Sequence, residues 1–136
     1  MASVDTNVLV RLLAAGDPAQ LQAARSCVQR AVRAGESLYV PLSVVLELEW
    51  VLRSRYQFPK ERMTATFGAL LESRELDFQD EGAVERALQA YRQNRVDFAE
   101  CLHLACAISA ARSPLLTFDR AATGMRGVKL LDVTGG

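Results

Sequence analysis

Residues 1–13, MASVDTNVLVRLL, set a short apolar run, Ala2 to Val4, against an acid, Asp5, and then against apolar positions at Val8, Leu9, Leu12 and Leu13. The first run is too short for a helix, whereas the second has the three-and-four spacing of one helical face, so the stretch reads as a strand that ends in an acid and runs into a helix. Gly16 ends that helix, and Asp17-Pro18 supplies N-cap and first-turn chemistry for a second, which continues through Leu21, Ala24, Val28 and Val32 to Gly35. The unit then repeats. SLYVP at 37–41 is apolar and closed by proline, hence a strand, and Ser43 is placed to cap a third helix reaching about Tyr56. Pro59 opens a fourth helix through MTATFGALLES at 63–73, ELDF at 75–78 reads as a strand, and Asp80 caps a fifth helix over 83–94. Asp97 caps a sixth over 98–112. PLLTF at 114–118 is a strand, Asp119 starts a short helical turn, and VKLL at 128–131 is a last strand before the loose tail TGG. Strands separated by helices pair in parallel through right-handed crossovers. The expected fold class is therefore α/β, a three-layer α/β/α sandwich in one domain over 1–136.

Composition narrows the function. Half of the 136 residues are apolar and 24% are charged, which suits a globular chain with a sizeable core and excludes a disordered one. Sixteen Lys plus Arg balance sixteen Asp plus Glu, so no global basic field exists and any polyanion must be met by local charge. Cys27, Cys101 and Cys106 have no CxxC spacing and suit reduced thiols in a core better than a disulfide frame or zinc site. No apolar run approaches the ~18 residues of a membrane span, and Asp5 stands where a signal peptide would be apolar. A cytoplasmic protein is expected.

In an open parallel sheet the reactive crevice lies beyond the carboxyl ends of the strands, so acids placed there come first. Asp5 and Asp119 both qualify, although an Asp between strand and helix also serves as an ordinary N-cap. Glu47, in the third helix, has mostly core-like neighbours three and four residues away (Val44, Trp50, Val51, with Ser43), while Glu49 has Arg53 four residues on and is expected on the surface as a helical ion pair. A carboxylate among apolar groups must be paired, protonated or bound to metal. Asp97 and Glu100 form a D-x-x-E that either builds a capping box or projects both acids from one helical turn. Convergence of these stations would crowd negative charge that a hard, oxygen-loving cation answers, and Mg²⁺ or Mn²⁺ is the expected ion. The reaction class for such a site is metal-assisted hydrolysis of a phosphodiester.

MASVDTNVLVRLL, PLSVVLELEWVLRSRY at 41–56, DFAECLHLACA at 97–107 and LLTFDR at 115–120 together resemble the PIN-domain ribonucleases, in particular the VapC-like toxins of type II toxin–antitoxin pairs. The resemblance implies a catalytic and metal-binding set of Asp5, Glu47, Glu100 and Asp119, with Thr6, Asn7 and Thr117 in support. At the third station this chain departs from the commoner D-F-A-D by carrying D-F-A-E, so Glu100 adds one methylene and Asp97 is the alternative direct ligand. The resemblance further implies a five-stranded parallel sheet, a homodimer, an RNA substrate and inhibition by a cognate antitoxin whose C-terminal segment fills the acidic groove.

Arg53, Arg55, Lys60 and Arg62 cluster around the end of the third helix and form a candidate RNA-contacting surface, with a solvated charged face as the plain alternative. Tyr56 and Phe58 interleave with them, either to stack a base or to pack in the core. His103, the only histidine, lies one turn from Glu100 and reads either as a general base or, since a metal would already activate water, as a structural residue of its helix. Two other functions share these residues. One is a non-catalytic acidic α/β module whose carboxylates bind a partner around a structural metal. The other is a phosphotransfer domain with Asp5 as acceptor, which D-T-N-V-L disfavours because it lacks a second acid, and only Lys60 and Lys129 are available as its lysine.

Overall fold

A computed structural model describes residues 1–133, so the tail residues 134–136 lie outside the described residues. The described residues form two compact units that divide after Glu81.

In the first unit α1 (Thr6–Leu13) starts from Asp5, whose carboxylate accepts the Val8 N–H, and α2 (Pro18–Arg33) starts from Asp17, whose carboxylate accepts the Ala19 N–H. Each cap satisfies an amide the first helical turn would leave unpaired. β1 (Leu38–Val40) and β2 (Leu76–Phe78) pair in parallel, Tyr39 opposite Asp77. On the other side of β1, Ser3 makes a single parallel bridge to Tyr39, so the strand expected at Ala2–Val4 is reduced to one bridge. β1 is therefore central, with Leu38 and Val40 buried. α3 (Leu42–Ser54) begins behind Pro41 and takes no cap from Ser43; the Leu42 N–H instead donates to Oε1 of Gln79, just past β2. α4 (Lys60–Glu72) begins behind Pro59. Leu9, Val10, Val45, Leu48, Leu52, Met63 and Phe67 bury almost completely, and α1 packs on both α2 and α3. Before β2, the hydroxyl of Ser73 and the backbone hold the Glu75 carboxyl below its ordinary pKa, a stabilisation that is lost as the pH falls through that lowered value.

In the second unit α5 (Glu81–Gln93) buries Ala83, Val84, Ala87, Leu88 and Tyr91, a three-and-four stripe, and the Tyr91 ring meets Phe98 edge-on at 5.7 Å. α6 (Phe98–Ser109) buries Phe98, Cys101, Leu102, Leu104 and Ala105 and ends earlier than the expected 112, where Ala111 adopts positive φ. β3 (Leu115–Thr117) and β4 (Val128–Leu130) pair in parallel around a 3-10 turn, Arg120–Gly124, which Asp119 caps. Of the three free cysteines Cys101 is buried, whereas Cys27 and Cys106 are half-buried. Among the described residues the strands are three residues long and pair as two short parallel sheets, not as one five-stranded sheet. The α/β class is as read. No helix among the described residues is long and apolar enough to cross a membrane.

Candidate active site

Each unit builds the same small device from an acid, a threonine and a helical glutamate. In the first, Asp5 is exposed at the N-cap of α1 and spends one oxygen, Oδ1, on the Val8 N–H at 3.1 Å. The next residue, Thr6, is buried, and its hydroxyl donates to Oε1 of Glu47 on α3. A buried hydroxyl must find a partner, so the start of α1 is tied to one carboxylate oxygen of Glu47, and the other is left uncommitted among the described residues. Asn7 is exposed beside them.

In the second unit the Thr117 hydroxyl lies 3.5 Å from Oε2 of Glu100, at the outer limit of a hydrogen bond, and accepts the Asp119 N–H at 2.9 Å. Asp119 in turn accepts the Ala121 N–H through Oδ1 at 2.9 Å. Glu100, Thr117 and Asp119 are thus linked, and both acids are half-buried. Asp97 takes the N-cap position of α6, but its side chain makes no capping hydrogen bond. Of the two readings of D-x-x-E, the capping box is not formed: the Asp97 carbonyl accepts the Cys101 N–H as the first bond of the helix, while its carboxylate stays exposed.

The expected burial of the two α3 acids is reversed. Glu49 is 3% exposed and Glu47 is exposed. The buried face of α3 is Val44, Val45, Leu48, Glu49 and Leu52, and a carboxylate can sit on it because Arg53 lies one turn on, its Nε donating to Oε2 at 2.8 Å while its long side chain reaches solvent. The Glu49–Arg53 pair exists as expected, at a buried position. Glu47 faces outward with Trp50, which is 52% exposed. An outward carboxylate held at one oxygen by a buried threonine is oriented and still reachable by a ligand, which a core acid would not be.

The basic cluster is divided by the same contacts. Arg53 is committed to Glu49, and the Arg62 guanidinium stacks 3.9 Å from the centroid of the buried Phe58 ring, so Phe58 is a packing residue. Lys60 is half-buried. Arg55 is exposed and shares a groove with Asp5. His103 is exposed.

All the candidate donors are carboxylate oxygens, the chemistry that hard divalent cations take. Two acids stand in each unit, and among the described residues no group of three or more His, Cys, Asp or Glu side chains is gathered closely enough to hold a metal ion. The family model for the PIN domain matches residues 2–127, nearly the whole chain. The chain belongs to the PIN-domain family. A VapC ribonuclease of Aquifex aeolicus (strain VF5) is 22% identical to it over 120 residues, 88% of each chain, and together the two matches make this a VapC-like PIN domain. Within this PIN domain the four candidate acids stand two to a unit: Glu47 takes the Thr6 hydroxyl beside Asp5, and Glu100 and Asp119 both meet Thr117.

Proposed function

We propose that this PIN domain is a metal-dependent endoribonuclease, the toxin of a type II toxin–antitoxin pair. The observation that carries the reading is the threonine–glutamate contact found in each unit beside an acid at the start of a helical turn, Thr6–Glu47 next to Asp5 and Thr117–Glu100 with Asp119, in a chain of this family. Asp5, Glu47, Glu100 and Asp119 would hold Mg²⁺ or Mn²⁺, which when bound supplies counter-charge for a phosphodiester and lowers the pKa of an attacking water. The protein's own part is orientation. The Val8 and Ala121 amides each occupy one oxygen of Asp5 and Asp119, fixing the direction of the other. The two threonine hydroxyls do the same for Glu47 and Glu100. Asn7 and Asp97 stand exposed beside Asp5 and Glu100 as further polar contacts. The single-domain organisation, the homodimer, the cytoplasmic setting and the antitoxin partner belong to the same reading and rest on the family resemblance and the VapC relative.

Thr6→Val tests the orienting role, since valine keeps the buried volume and removes only the donor. Expected is a folded protein with ~0.5–1.5 kcal/mol less stability and a 10–100-fold weaker Mn²⁺ affinity in a direct titration, roughly the cost of losing an outer-shell partner. Thr6→Ser should restore affinity. An unchanged affinity in Thr6→Val would remove the threonine from the site.

Expression supplies the biological test. The free chain is expected to arrest bacterial growth, and a small protein encoded beside it to relieve the arrest by placing an arginine against these carboxylates, where a guanidinium pairs in a bidentate fork. Excess Mn²⁺ should then weaken the complex. Arrest of equal strength from the Asp5→Asn variant would show that toxicity does not arise at this site.

A further inference from the structure

A groove of about 600 Å³ opens in the first unit beside Asp5, between α1 and α2. Arg11 and Arg55 line it together with Ala23, Ala24 and Cys27 of α2. Arg11 is half-buried and held by two neutral groups: its Nε donates to Oε1 of Gln20 at 2.8 Å and its Nη1 to the Tyr56 hydroxyl at 3.3 Å. Those partners orient the guanidinium and leave its charge uncompensated, with three of its five N–H groups still to be used. Among the described residues Arg55 has no acidic partner either, in contrast to Arg53. Gly16, in the turn between α1 and α2, makes room for the Arg11 head, since a Cβ there would overlap the guanidinium. Two cations therefore face one carboxylate in this groove, and one cation is pre-set by the fold.

We propose that the groove holds the RNA strand next to the bond to be cut, with Arg11 and Arg55 on its phosphates and the small apolar side chains of α2 against a base. The inference rests on the nuclease reading, which places Asp5 among the reacting groups. Charge selects the occupant. A half-buried guanidinium held only by neutral hydrogen-bond partners is an anion site, and a phosphate takes its free N–H groups in a fork. The apolar lining from Ala23, Ala24 and Cys27 suits the face of an unstacked base, the way single-stranded RNA is read.

The test is the salt dependence of binding by the full-length chain to a fluorescein-labelled single-stranded RNA oligonucleotide, followed by anisotropy with chelator present so that nothing is cut. Each phosphate contact contributes about 0.7 to the slope of log affinity against log salt. Arg55→Gln is expected to weaken binding severalfold at low salt and lower the slope by about 0.7; Arg11→Gln in addition should lower it by about 1.4 in all. Gly16→Ala, which displaces the Arg11 head and keeps its charge, should also weaken binding. Arg55 is exposed and makes no ion pair among the described residues, so its variant folds even if the others do not. Parental affinity and slope in Arg55→Gln, with Mn²⁺-dependent cleavage by the parent intact, would overturn the groove and leave the nuclease reading standing. Loss of the neighbouring-gene protein without loss of RNA would assign the groove to a protein and also overturn the proposal. A parent that neither binds nor cuts RNA would overturn both.

Discussion

Asp5→Asn is expected to yield a folded protein whose RNA cleavage falls by more than the ~10–100-fold that loss of an outer-shell metal partner costs. The change separates two duties that this residue carries at once. Its Oδ1 caps α1 by accepting the Val8 N–H, and asparagine keeps that acceptor at nearly equal capping strength. The negative charge on the second oxygen, by contrast, is removed. Stability should therefore change little, whereas Asp5→Ala would add ~0.5–2 kcal/mol of lost capping. Initial cleavage rates at saturating Mn²⁺, with thermal unfolding of the same preparations, check both halves of the expectation. Cleavage at the parental rate would remove Asp5 from the ligand set.

At the third station Glu100→Gln should cost at least tenfold more activity than Asp97→Ala. Glu100 is linked through Thr117 to Asp119, while Asp97 makes no side-chain cap and stands exposed at the start of α6. With no capping bond to lose, Asp97→Ala should stay within about ±0.5 kcal/mol of the parent in urea unfolding, the range of an ordinary surface change. Glu100→Asp is the informative third variant, because it restores the shorter acid of the commoner D-F-A-D pattern. Retained activity there would show that the site tolerates the missing methylene. Should Asp97→Ala abolish metal binding and Glu100→Gln preserve it, the two residues exchange roles.

Capping chemistry is local, and it was legible. Asp5, Asp17 and Asp119 each precede a helical turn in the sequence, and each accepts an amide from that turn in the structure. The alternation of helices and short strands, and hence the α/β class, followed from the same signals. Burial on α3 was not legible, because Val44, Val45, Leu46, Leu48, Trp50, Val51 and Leu52 make that helix apolar nearly all round and no face is singled out by periodicity. Which of Glu47 and Glu49 turned inward was decided by packing of the remaining elements and by the reach of Arg53. Asp97 shows a different limit: D-x-x-E marks a helix start correctly, yet the spacing does not fix whether the carboxylate turns back onto the first-turn amides or out to solvent, and here it stands exposed. Sheet continuity is the most non-local feature. Three-residue strands carry too few alternating positions to specify which segments become neighbours. Arg11 was missed as a groove residue because its partners, Gln20 and Tyr56, are neutral and distant in sequence, so neither charge pairing nor spacing announces them.

The most direct measurement is a titration of RNA cleavage by the purified chain with Mg²⁺ or Mn²⁺, carried through chelation and re-addition of metal, with Asp5→Asn and Glu100→Gln run in parallel. The account predicts internal cuts that appear with metal, vanish with chelator, return on re-addition, and are absent from both variants at the same metal concentration. Cleavage that persisted in chelator, or that both variants performed at the parental rate, would contradict it.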